Sequence, residues 1–223
     1  MQLSRNKVYE NSGNVDVINL VKHTGVRVLD IGCGSGSVAR QLTSNGNIVD
    51  GITISQSELA EASKVLRNGY IFNLEEGLPS EMPADEYDYI ICSHVLEHIA
   101  YPEKLLADIK RVLKNEGNFI VALPNVFYYK YRWQLMKGEF KVADAGIWDY
   151  THLRWYSFNS AKQMLLKSGF AIDVATVTGE LPFSSILKYV LPRSIRRMLY
   201  NVLTTISKGF FGYQLLYSVK NKK

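Results

Sequence analysis

Short apolar runs alternate along this chain with stretches whose apolar residues recur every three or four positions. The short runs are Val26 to Asp30, Asn47 to Ile54, Tyr70 to Asn73, Tyr87 to Cys92, Asn118 to Leu123, Phe170 to Val177 and Tyr213 to Val219. They predict seven strands. Between them, Val15 to His23, Val38 to Ser44, Ser55 to Arg67, the stretch after Pro102 and the one opened by Ser157 repeat at helical spacing. Asn14 is placed to cap the first helix, and Ser55 with Glu58 stands at capping-box spacing. Tyr87 to Cys92 is apolar on both sides, like a strand buried in a parallel sheet. Strands alternating with helices predict an α/β fold built on a doubly wound sheet.

Two stretches interrupt the alternation. Residues 126–156 hold ten aromatics without a clear period, and we read them as a cap inserted beside the site. A helical segment of about Phe183 to Gly209 then precedes the last strand. The expected organisation is one domain over 1–223, with the cap at 126–156 and a helical insertion at 181–212. A chain of 223 residues, 47% of them apolar, can bury a sizeable core.

Charge changes the picture. The net charge is +5, yet residues 181–223 carry eight Lys/Arg and no Asp or Glu. The rest of the chain is slightly acidic, so the basicity belongs to the carboxyl-terminal segment. Cys33 and Cys92 make no metal spacing and no secreted disulfide scaffold. The stretch from Met1 to Lys7 has no apolar run of signal-peptide type, and no 18 consecutive residues are apolar. A cytoplasmic location is expected.

The chemistry concentrates where the first strand ends. Val26-Arg27-Val28-Leu29 runs into Asp30, then into Gly32, Gly34 and Gly36, then into a helix. Alternate glycines let a ligand lie against the backbone. A dinucleotide loop would place its third glycine one residue later, and a phosphate loop would need a following lysine. The acidic entry disfavours a pyrophosphate and suits a cationic or amine-bearing ligand. The loop resembles motif I of class I S-adenosylmethionine-dependent methyltransferases, E/D-x-G-x-G-x-G, with Asp30, Gly32, Gly34 and Gly36 matching.

That resemblance implies a Rossmann-like seven-stranded sheet. With strands numbered in chain order it runs 3-2-1-4-5-7-6, the last strand entering antiparallel. It implies S-adenosylmethionine as cofactor and S-adenosylhomocysteine as product. The family's acidic residue after the second strand grips the ribose hydroxyls. Gly51-Ile52-Thr53-Ile54-Ser55 places Thr53 there instead, with Ile54 beside it and Gln56 as a helper. A neutral hydrogen bond is worth about 1 kcal/mol, against roughly 1.5–3 for one to a charged group. Ribose binding is therefore expected to be weaker or differently built. Asn73 and Leu74 fall where the family meets adenine, although an asparagine there also suits a plain turn. Ser93 closes the set at the end of the fourth strand.

Finer likenesses cover residues 15 to 220. Asn73 to Leu78, Leu123-Pro124-Asn125 and Arg132-x-x-Leu135-x-x-x-Gly138 look like the methyltransferase-like W protein of methionine biosynthesis. Asp149-Tyr150-Thr151-His152-Leu153-Arg154 is similar to small methyltransferases of bacterial surface-polysaccharide clusters. The ubiquinone-pathway O-methyltransferases share Glu97-His98. Methyl transfer to oxygen needs a base, and histidine titrates near neutrality. His98 is the favoured base, with His94 and His152 as substrate contacts or alternative bases. His94, Glu97 and His98 also spell an inverted zinc-protease motif. We reject it because the segment follows a strand and shows no third ligand. No metal is assigned; a divalent ion on Glu97 and His98 stays open by the ubiquinone-pathway likeness.

Base-directed methylation of nucleic acid would want N/D-P-P-aromatic after the fourth strand, where Ser93-His94-Val95-Leu96 stands, so nucleic acid is not an expected partner. The expected activity is O-methylation of a small polar acceptor, such as a sugar or a nucleotide- or lipid-linked sugar in surface-glycan assembly. The alternative is a cofactor-binding partner protein with little turnover of its own. Ile195, Met198, Leu199, Val202, Leu203 and Ile206 recur at helical spacing, with Arg193, Arg196 and Arg197 to the other side. That helix either packs its apolar face on the sheet or touches an anionic membrane surface.

Overall fold

The structure, a computed structural model, describes residues 13–222. The amino-terminal stretch that bears on targeting lies outside the described residues, as does Lys223. Seven strands form one sheet: β1 Arg27–Ile31, β2 Ile48–Thr53, β3 Gly69–Ile71, β4 Tyr87–Ser93, β5 Leu113–Pro124, β6 Phe170–Thr178 and β7 Gln214–Asn221. Their order is β3-β2-β1-β4-β5-β7-β6, as the resemblance implied. β1 pairs parallel to β2 and β4, whereas β7 runs antiparallel to both β5 and β6.

The helices are α1 Val15–Ile18, α2 Ser37–Ser44, α3 Gln56–Ala62, α4 Pro102–Val112, α5 Tyr129–Met136, α6 Phe158–Lys167, α7 Ser184–Val190, α8 Arg193–Ile206 and α9 Lys208–Phe211. Strand side chains alternate between the faces, so the buried sheet has two cores. Leu29, Ile31, Ile90 and Cys92 face Leu105, Leu106 and Ile109 of α4 and Leu165 of α6. Val28, Tyr89 and Ile91 face Val17 and Ile18 of α1 and Val38 and Leu42 of α2.

Several boundaries differ from the sequence reading, each for a local reason. The first helix ends at Ile18 instead of His23, and Asn14 makes no side-chain cap. Its amide donates to Ser93 Oγ at 3.0 Å and to Gln214 Oε1 at 2.7 Å. The helix opened by Ser55 stops at Ala62 instead of Arg67. Arg67 turns away to donate from Nε to buried Asp50 at 2.9 Å and from its backbone to Val49 O at 2.7 Å. The segment Phe183 to Gly209 is three helices. Leu191 is extended ahead of Pro192, which has no N–H to offer, and Ser207 is extended ahead of α9. Asn125 holds the β5 exit: fully buried, it donates to the Gly209 and Gly212 carbonyls.

Candidate functional site

A cavity of about 700 Å³ opens at the carboxyl ends of β1, β2 and β4. Open α/β sheets bind ligands at this edge, and the size suits a small-molecule site. Gly32 and Gly34 line the cavity, and Gly36 does not. All three have positive φ, which glycine alone adopts freely. A Cβ on Gly32 would run into Val95, and one on Gly36 into Ala62 of α3. A Cβ on Gly34 would meet only Glu58 Oε1 at 3.9 Å, so the rest of its space is open. Gly36 thus lets α3 pack close to the loop and does not itself line the cavity.

Three carboxylates are buried around this wall. Asp30 is 2% exposed and its Oδ2 has no hydrogen-bond partner. Burial pushes its pKa up to about 7. Glu58 is 6% exposed and lines the cavity. Thr53 Oγ1 donates to Glu58 Oε2 at 2.7 Å and accepts from Ser55 N at 3.2 Å. Ser55 Oγ still accepts from Glu58 N, so the cap forms on one side only. The glutamate side chain points to the cavity rather than back along the chain. The third carboxylate, Glu97, is fully buried and both oxygens lack a hydrogen bond.

Thr53, Ile54, Asn73, Leu74 and Ser93 also line the cavity. Gln56 is exposed and is not among the residues that line it. Asn73 Oδ1 accepts from Glu75 N at 3.3 Å, so its oxygen is engaged in capping a short 3-10 turn.

The three histidines meet on the opposite wall. His94 has φ +58 and sits 3.3 Å through Nδ1 from Glu97 Oε1. Its Nε2 lies 2.8 Å from Gln214 Oε1. Burial lowers the His94 pKa, but the Glu97 carboxylate outweighs it and holds the value above the ordinary one. His94 is therefore suited to stay cationic. His98 is the reverse: burial lowers its pKa more than Glu97 raises it. Its Nδ1 donates to the Thr151 carbonyl at 3.2 Å. Thr151 Oγ1 lies 3.0 Å from the same nitrogen and donates to Asp149 Oδ1 at 2.7 Å. A carbonyl can only accept, so the Nδ1 proton is fixed and Nε2 keeps the lone pair. His152 follows the same logic, donating from Nδ1 to Ile147 O at 3.0 Å, and its ring stands edge-on to His98 at 4.7 Å.

Backbone pairing pins this wall. Leu153 N and Arg154 N donate to the Glu97 carbonyl, and Arg154 Nε to the Ala100 carbonyl. One ligand atom each from Glu97, His98 and His152 falls within 4.8 Å of the others. A carboxylate with two imidazole lone pairs is a donor set that suits a divalent transition metal. The segment 93–98 folds as a strand end and a 3-10 turn, so His94 and His98 do not share one helical face.

A family model described as a methyltransferase domain matches residues 5–174. The chain belongs to the class I SAM-dependent methyltransferases. This methyltransferase is similar to the ubiquinone biosynthesis O-methyltransferase of Pasteurella multocida, with 34% identity over 107 residues, 42% of this chain and 44% of the relative. Its likeness to the Paraburkholderia phymatum protein of the same name is 31% over 133 residues, 57% of each. The chain thus spans about half the length of the curated relatives it matches. Among solved structures, a SAM-dependent methyltransferase from Archaeoglobus fulgidus superposes with TM-score 0.67 at 19% identity, covering 92% of this chain and 91% of the other. A Haemonchus contortus phosphoethanolamine N-methyltransferase 2 in complex with S-adenosyl-L-methionine gives TM-score 0.61 at 20% identity, covering 94% and 52%.

S-adenosylmethionine is the cofactor of this family, and the wall fits it. Unpartnered Asp30 offers an anion to a cationic group, Gly34 leaves the backbone open, and Glu58 offers the carboxylate absent from Thr53. The cavity therefore has a buried carboxylate beside Thr53, supplied from α3 instead of β2. Its sequence signal was Glu58 itself, five residues after the missing acid and at capping-box spacing. Gln214, which ties Asn14 and His94 together, gave no signal beyond its place at the start of the last strand. The aromatic stretch also differs from expectation. Of its ten aromatics only Tyr131 lines the cavity, alongside Gly146, Ile147, Asp149, Thr151 and His152. Others pack on one another, as Phe140 does on Trp148 at 4.6 Å.

Proposed function

We propose that this methyltransferase moves the methyl group of S-adenosylmethionine to a hydroxyl oxygen of a small polar acceptor, such as a sugar or a nucleotide- or lipid-linked sugar. The bound cofactor supplies an electrophilic methyl on a sulfonium. Gly32, Gly34 and Asp30 hold its amino-acid end. Thr53 and Glu58 take the ribose, with Ile54, Asn73 and Leu74 toward the base and Ser93 at the strand end. His98 Nε2 removes the hydroxyl proton as the new bond forms. Asp149 and Thr151 keep the proton on Nδ1, so the imidazolium that results keeps a charge partner. His94, held cationic by Glu97, orients the acceptor rather than acting as base, and His152 completes the acceptor wall. Residues 126–156 serve as the acceptor-side cap. On this reading the protein works in the cytoplasm.

One observation carries the reading: a neutral histidine with a fixed tautomer shares a cavity with the glycine loop. The name O-methyltransferase carried by the curated relatives supports oxygen as the accepting atom. Release of S-adenosylhomocysteine over a panel of sugars, sugar nucleotides and lipid-linked sugars tests it. Turnover is expected with at least one of these. If the cofactor binds, no hydroxyl acceptor is turned over and an acyltransferase co-purifies, the partner-protein reading takes its place.

A further inference from the structure

Helix α8 is packed the wrong way round for a surface helix. Such a helix ordinarily turns its apolar stripe to the core and its polar face to water. On α8 the half-buried residues are Arg196, Tyr200, Leu203 and Thr204, all near one side. The other side exposes Met198 at 58%, Val202 at 52% and Ile206 at 74%. On α7, Ile186 is 64% exposed, Tyr189 81% and Val190 71%. Single exposed apolar residues need no explanation, but contiguous ones mark an interaction surface.

The polar side is the docked side. Arg196 Nε and the Tyr200 hydroxyl are both buried from solvent and make no hydrogen bond. The Tyr200 hydroxyl lies 3.1 Å from where a Cβ on Gly179 would stand, and Tyr213 Cβ lies 3.0 Å from the same point. Tyr213 lines the cofactor cavity. Helix α8 therefore lies beside the cavity wall, with its hydrocarbon facing away from the protein.

We propose that this face seats the protein on an anionic membrane surface. Charge selects the occupant. Residues 181–223 carry eight basic side chains and no acidic one. Arg193 and Arg197 are exposed on α8, and Lys188 on α7, where its ammonium lies 4.9 Å from the Tyr189 ring centre. An anionic bilayer offers both a hydrocarbon boundary and the opposite charge. The basic groups lie off the apolar strip, and their long side chains reach toward lipid phosphates while the hydrocarbon sits at the boundary. No helix among the described residues is long and apolar enough to cross a membrane, so the contact is interfacial. The lipid contact needs no methyl transfer. Only its consequence, that a lipid-linked acceptor reaches the cavity from the membrane, rests on the function proposed above.

Co-sedimentation of the full chain with phosphatidylcholine vesicles, with and without phosphatidylglycerol, tests the contact without reading turnover. Binding is expected only with phosphatidylglycerol and is expected to fall as salt rises. The pair Val202→Glu and Ile206→Glu should weaken partition at least tenfold. Arg193→Gln or Arg197→Gln should each weaken it about fivefold, the equivalent of about 1 kcal/mol per charge. Unchanged cofactor binding by calorimetry certifies that each variant is folded. Failure of the wild-type chain to bind these vesicles, or equal binding by the glutamate pair, overturns the proposal. So does a wild-type dimer in light scattering that the glutamate pair dissolves, because a second copy would then be the occupant.

Discussion

At the carboxyl ends of β1, β2 and β4 the protein buries carboxylates, and on α7 and α8 it exposes hydrocarbon. Asp30, Glu58 and Glu97 are 2%, 6% and 0% exposed, whereas Val202 and Ile206 are 52% and 74% exposed. Both regions invert the usual distribution of side chains, in which buried charge and large exposed apolar patches are the informative exceptions. In the first, the inversion is held by the sheet: each acid is fixed by a strand end or a helix start beside an open cavity. In the second, the side turned to the protein is mostly polar, with Arg196, Tyr200 and Thr204 half-buried. The two inversions fit ligands of opposite character. Buried acids await a cation or a hydroxyl donor, and an outward apolar face awaits an apolar phase.

The largest expected effect falls on the carboxylate side, at the group the acids organise. A positioned general base contributes typically 10²–10⁴-fold. His98→Ala should therefore lower kcat about a hundredfold or more while cofactor affinity, read by calorimetry, stays within about twofold. A smaller loss for His98→Ala than for His94→Ala would reverse the assignment of base and cation between them.

Next in size is Glu58, the carboxylate proposed to take the ribose. Glu58→Gln keeps the shape of the side chain and its contact with Thr53 but removes the charge. Hydrogen bonds to charged groups are worth roughly 1.5–3 kcal/mol, so cofactor affinity should fall about tenfold to a hundredfold. Thr53→Val, which touches the ribose side only through its neighbour, should cost less. If Thr53→Val costs more than Glu58→Gln, the carboxylate is structural and the comparison loses one of its buried acids.

The two regions were unequally legible in the sequence. Asp30 and the glycine spacing are local, and local spacing survives into three dimensions, so the cofactor wall was readable. The sheet order followed from that family likeness rather than from periodicity. Glu58 was visible as a cap residue, but whether its carboxylate returns to the backbone or turns into the cavity depends on Thr53, a choice no pattern encodes. The Asp149–Thr151–His98 chain joins segments about fifty residues apart, brought together by the pairing of Leu153 and Arg154 with the Glu97 carbonyl and of Arg154 Nε with the Ala100 carbonyl. On α8 the periodicity correctly predicted an amphipathic helix, yet spacing alone cannot say which face meets the protein. In the structure the face that meets the protein is the one that carries Tyr200, close against Gly179.

Acidity sharpens the buried side further. Burial raises the Asp30 pKa to about 7, so in the empty protein the carboxyl takes up a proton as pH falls through that value. A cationic ligand binds the ionised form, so cofactor affinity should be level above pH 7 and fall about tenfold for each unit below it. Asp30→Asn should flatten the profile at low affinity. Stability has the opposite sign. Because the folded pKa is raised, the cost of ionising Asp30 is absent below about 3.8, grows up to about 7 and is constant above. Asp30→Asn is therefore expected to raise the melting temperature at pH 8 and to change it little at pH 4.

The smallest effect is the most discriminating for the exposed side. If Val202 meets only solvent in the free protein, Val202→Glu removes no packing and should change unfolding free energy by no more than about 0.5 kcal/mol. Leu42→Ala, at 1% exposure on α2, should cost roughly 2–5 kcal/mol by cavity formation. Urea melts of the two variants beside the wild type measure both. A Val202→Glu cost near that of Leu42→Ala would mean that the apolar face of α8 is covered in the free protein. The inversion on that side would then vanish, leaving the carboxylate wall as the one departure from ordinary burial.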